Sequence, residues 1–201
     1  MHGFRRGRGG FVARIGTSER QIVARVVADT AQLLGHPVTD DAGETSVVEG
    51  DVPPWPVLET DDVVPPTDPA LARLLPSASL DDDAVALEFR RLTENEVRAQ
   101  KAERLALVWR SLQTDASRVV VAPGDAPAWA AALTDVRLVL AERLGIEDDE
   151  DAEDVYVGAQ DGAFDGDEVA RAMATLYAAL SWLQETLLQA MLGELGDDGT
   201  D

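Results

Sequence analysis

The chain has 201 residues, 45% of them hydrophobic, and its 38 acids against 17 Lys and Arg give a net charge of −21. That is enough apolar material for a packed core, and the negative excess disfavours direct DNA binding and attraction to an anionic membrane. There is no cysteine, which excludes disulfides, thiol switching and thiolate metal sites; there is also no apolar run of about 18 residues to span a bilayer.

The first 25 residues hold six arginines and one acid, opposite in sign to the rest of the chain. No apolar stretch follows these arginines as it would in a secretory signal, so a cytoplasmic protein is expected. Within this segment, residues 4–15 read as a hairpin, with Gly7, Gly9 and Gly10 supplying the turn between β-prone runs. A helix is predicted from about Ser18, with Ser18 and Gln21 at capping-box spacing and Ile22, Val26, Thr30 and Leu33 on one face, stopping at Gly35.

Residues 36–66 hold six prolines, eight acids and no Lys or Arg, which predicts a mobile acidic insertion pinned at Trp55. Asp68 and Pro69 start a short helix that ends before Pro76. Residues 81–113 read as two helices or one kinked helix, because Thr93 and Glu96 repeat the capping-box spacing; Val97, Leu105, Val108 and Leu112 mark its buried face. Arg118–Ala122 is the other strand, able to join the hairpin in a small antiparallel sheet. After Asp125 a strong amphipathic helix carries Trp129, Leu133, Val136, Leu140 and Leu144 and ends at Gly145. The acidic run 147–154 is read as a solvated loop, with binding of a hard cation such as Ca²⁺ as the alternative.

The last helix should begin near Asp165 or Asp167. Val169, Met173, Leu176, Leu180, Leu183, Leu187 and Met191 form one stripe on it, and Leu188, Leu192 and Leu195 a second. The tail 193–201 is expected to fray. The whole predicts a single mainly α (α+β) domain, with about five helices and a small antiparallel sheet built from an N-terminal hairpin and one further strand.

Catalytic chemistry finds no foothold. The two histidines are His2 at the terminus and His36 beside a proline, and neither is placed between an acid and a nucleophile. Metalloprotease, CxxC, phosphate-loop and nucleophile-elbow patterns are missing, so no catalytic, cofactor or metal residue is assigned. Arg5, Arg6, Arg8 and Arg14 could meet phosphates or an acidic protein surface; the competing reading is that they neutralise the chain's own acids. Arg5, Arg6 and Arg8, with the adjacent Arg90 and Arg91, are the partner-binding candidates. Trp182, Leu188, Leu192 and Leu195 are candidates for a homodimer interface, because the last helix bears more apolar surface than one intramolecular face needs.

Five segments, FRRGRGGFVARI (4–15), DPALARLLP (68–76), EFRRLTENEVRAQK (88–101), DVRLVLAERLGI (135–146) and LSWLQETLLQAML (180–192), resemble the actinobacterial AosR-like family of oxidative-stress regulators, formerly a domain of unknown function. The resemblance implies a non-enzymatic cytoplasmic regulator of transcription that acts through protein contacts, with the RNA polymerase machinery as a candidate partner. The family's redox regulator is associated with closely spaced cysteines, which this chain lacks, so disulfide-based sensing does not carry over. The alternatives are a structural adaptor unrelated to transcription and a metal-dependent enzyme using acidic residues.

Overall fold

The computed structural model describes residues 1–38, 64–79, 81–114, 116–161 and 167–197, the side chains of 159–161 and 194–197 excepted. Trp55 and most of the acidic insertion lie outside these residues, as do the side chain of Leu195 and the end of the tail. Strand β1 (His2–Gly7) turns into β2 (Gly10–Arg14), which leads to helix α1 (Thr17–Leu33). Then come α2 (Pro69–Leu74), α3 (Asp83–Leu112) and β3 (Arg118–Val121). A 3-10 turn at Pro123–Asp125 precedes α4 (Ala126–Leu144), followed by α5 (Asp149–Asp161) and α6 (Glu168–Asp197). The expected mainly α fold with a small sheet is therefore present.

The sheet is antiparallel in the order β1-β2-β3. Glycine makes its hairpin turn: Gly9 and Gly10 both have positive φ, 90° and 133°. Alternation along the strands buries Phe4, Phe11, Ala13, Val119 and Val121 on one face. Phe4 meets Trp129 of α4 edge-to-face at 5.6 Å, and its amide donates to Thr186 Oγ1 of α6 at 3.0 Å. The sheet thus packs its inner face on the two central helices.

Helix α4 is buried nearly all round, through Trp129, Ala130, Leu133, Asp135, Val136 and Leu140 among others, as befits a helix enclosed by its neighbours. It stops where expected: Gly145 takes a left-handed φ of 71° and the Ile146 amide reaches back to the Ala141 carbonyl at 2.9 Å. Across from it, Gln184 of α6 donates to the Ala130 carbonyl and the Thr134 hydroxyl and accepts from Arg137 at 2.7 Å. These bonds satisfy a buried amide and fix how α6 sits on α4.

Several local expectations change. Helix α1 begins at Thr17, and Glu19, not Gln21, closes its first turn by accepting from the Gly16 amide at 2.7 Å. Its buried face is Arg20, Val23, Ala24, Val27, Thr30 and Ala31; of the predicted stripe Thr30 is buried, Val26 and Leu33 lie half-buried against the core, and Ile22 is exposed. Residues 83–112 are one helix: the Thr93 hydroxyl donates to the Phe89 carbonyl at 2.9 Å, a bond made within a continuing helix. The acidic run is no loop. Asp148 accepts from the amides of Glu150 and Asp151, and Asp151 accepts from that of Glu147, so the acids cap the start of α5, where the helix dipole favours them.

Candidate functional site

The three strands place a basic concave surface on the side of the sheet away from the core. Strand register builds it. Arg5, Val12 and Val120 lie in one cross-strand row, and His2, Arg14 and Arg118 in the next. With Arg6, Gly7 and Arg8 at the turn, these residues line a cavity of about 450 Å³. Arg5, Arg8, Arg14 and Arg118 make no side-chain hydrogen bond or ion pair with another described residue, while Arg6 does have an interaction. Among the described residues, no acid pairs with these four arginines. Arg118 was invisible as a site residue in the sequence. The signal that locates it is the pairing of its strand with the hairpin.

Arg90 and Arg91 are not part of this surface. Glu94 on α3 accepts from Arg90 at 2.6 Å and from Arg98 at 2.7 Å. Arg90 also donates to the Leu75 carbonyl after α2, and Arg98 to the Leu34 carbonyl after α1. One carboxylate thus ties two helix C-termini to α3. Burial alone would raise the Glu94 carboxyl, but the two guanidiniums outweigh it and hold it below the usual range. Arg91 pairs with Glu88 along the helix at 2.8 Å. The positive charge seen at 90–91 in the sequence is paired with acids of the same helix, Arg90 half-buried against the Leu75 carbonyl and Arg91 at the surface.

The remaining candidates lie on α6. Leu188 and Leu192 are 42% and 67% exposed. They are one turn apart, about 40° around the axis, and share a face. Trp182 is 39% exposed. It lies about 120° around the axis from Leu188, so the three do not form one stripe.

Among the described residues no helix is long and apolar enough to cross a membrane, and no group of three or more His, Asp or Glu is arranged to hold a metal ion. The molecule is thus defined as a mainly α protein with a small antiparallel sheet whose outer face is basic. The chain belongs to the DUF2017 family, described as a domain of unknown function, whose model matches residues 1–191. No curated protein and no solved structure matches it.

Proposed function

We propose that the protein is a non-enzymatic, cytoplasmic regulatory protein that works through protein–protein contacts, with the outer sheet face as its main contact surface. The observation that carries this is the set of four arginines, Arg5, Arg8, Arg14 and Arg118, left without a partner among the described residues in a chain of net charge −21. Arginine offers planar, multidentate contacts to carboxylates and favours interfaces. The resemblance to oxidative-stress regulators makes transcription the process and the RNA polymerase machinery the first partner to look for.

The test is affinity capture from the native host with wild type and with the triple variant Arg5→Glu, Arg8→Glu, Arg14→Glu. These side chains are exposed, so the variant should fold, each change costing within about 0.5 kcal/mol. Loss of the principal captured protein is the expected result; undiminished capture by the folded variant rejects this surface. A second contact is favoured by exposed Leu188 and Leu192, namely self-association through α6. Sedimentation at tens of micromolar should then give a dimer, and a monomer there removes that reading.

A further inference from the structure

We propose that the outer sheet face binds an acidic polypeptide segment in extended conformation, its carboxylates on the Arg14–Arg118 row and on Arg5 and Arg8, its apolar side chains on Val12 and Val120. This rests on the reading of that face as a contact surface and adds the chemistry of its occupant.

The register carries the argument. Arg14 stands directly opposite Arg118, and His2 flanks Arg14 on its other side. Like charges directly opposite on adjacent strands destabilise a sheet. No described carboxylate relieves this pair. A sequence with 38 acids has placed none of those described beside it. Such local conflict with the fold is expected where a surface serves a ligand, here one that brings negative charge.

The neighbouring row narrows the ligand further. Val12 and Val120 are adjacent across the strands, and Val120 is 51% exposed. A free inorganic anion makes no use of that apolar centre, whereas a peptide side chain does. Along each strand, residues on one face recur about 6.8 Å apart, the same repeat as alternate side chains of an extended peptide. An Arg row and a valine row at that spacing match an extended segment with an acid at one position and an apolar residue two positions on, both on the face turned to the sheet.

Nucleic acid fits less well. Single strands are held by bases stacked on aromatic rings, and among the described residues no Phe, Tyr or Trp lines this face. Duplex DNA carries a charge about every 1.7 Å, so a chain of net −21 repels it over its whole length. A short acidic segment meets far less of that repulsion, and arginine can grip each carboxylate in bidentate fashion.

The full-length protein is titrated at low salt into labelled twelve-residue peptides of the repeats Glu-Ser-Val-Ser, Glu-Ser-Ser-Ser and Gln-Ser-Val-Ser, called the Glu-Val, Glu-Ser and Gln-Val peptides after the residues on their sheet-facing side, and into labelled single- and double-stranded DNA, with anisotropy as readout. Glu-Val should bind tightest, with Gln-Val at least tenfold weaker and Glu-Ser and both DNAs also weaker. Arg14→Thr and Arg118→Thr should each lose about tenfold in Glu-Val affinity, yet unfold at a denaturant concentration no lower than wild type. A role confined to holding the sheet would lower that midpoint instead. Tighter binding of DNA, no binding of Glu-Val, Gln-Val binding as well as Glu-Val, or unchanged affinity in both threonine variants overturns the proposal. If the natural partner is still lost on Arg→Glu substitution while no acidic peptide binds, the occupant is wrong and the contact surface stands. If capture is indifferent to the arginines, the surface itself is wrong.

Discussion

Alanine at Gly10 is expected to cost more than about 3 kcal/mol and to dismantle the basic face. Gly10 has φ +133°, a region L side chains rarely adopt, and a Cβ there would lie 2.1 Å from the Val121 backbone oxygen. That carbonyl belongs to the strand paired with β2, so relief of the clash must displace β3 and with it Arg118 and Val120. Gly9 is the internal control. Its φ is +90°, but a Cβ there meets nothing within 4 Å. Gly9→Ala should therefore cost only the conformational strain, about 1–2 kcal/mol. Urea denaturation of both variants separates the two effects. Equal losses for Gly9→Ala and Gly10→Ala would show that close packing of β2 against β3 contributes nothing.

The elements that could be read from the sequence are those where one physical signal dominates. Glycines between β-prone runs made the hairpin legible, and apolar periodicity with a closing Gly145 made α4 legible. Where small or polar residues fill the core, periodicity misleads: Ala24, Ala31 and Arg20 are buried in α1 while Ile22 is not. Spacing alone also misled at Thr93 and Glu96, because a capping box matters only if the backbone breaks there, and Thr93 bonds back within an unbroken helix. The acids of 147–154 look like a solvated loop until Asp148 and Asp151 are seen to accept from helix amides. For the site, Arg5, Arg6 and Arg8 were visible as local charge density. The cross-strand row of Arg14 and Arg118 was not, since it exists only in the register of β2 with β3. The acids that pair with Arg90 and Arg91, Glu94 and Glu88, lie within one helical turn and are legible in the sequence, whereas the bond from Arg90 to the Leu75 carbonyl at a helix C-terminus is not.

Lys101→Met should cost about 3–5 kcal/mol at pH 7, and most of that cost should disappear when Asp135 is also replaced, by leucine. Lys101 is the chain's single lysine, and its Nζ lies 2.5 Å from Asp135 Oδ1 between α3 and α4. The aspartate side chain is 4% exposed, and its other oxygen, Oδ2, has no hydrogen-bond partner among the described residues. Burial pushes the Asp135 carboxyl above its ordinary range despite the opposing pull of Lys101 and Arg104. The ion pair therefore does not fully repay the removal of this carboxylate from water, the circumstance in which an apolar pair of similar volume is neutral or better. Removing only the lysine is different, because a buried carboxylate is left uncompensated. The pH dependence follows in sign. A folded carboxyl raised above its unfolded value of about 3.9 binds its proton more tightly in the native state, so its contribution is fully present below that value and is lost as pH rises through the folded value. The deficit of Lys101→Met should accordingly shrink as pH falls from 7 toward 4, while the double variant shows no such recovery. Chemical denaturation of the wild type and the two variants across that range makes the comparison. A double variant as unstable as Lys101→Met, or a deficit that grows on acidification, would mean that Lys101 acts through its packing and not through the carboxylate it covers.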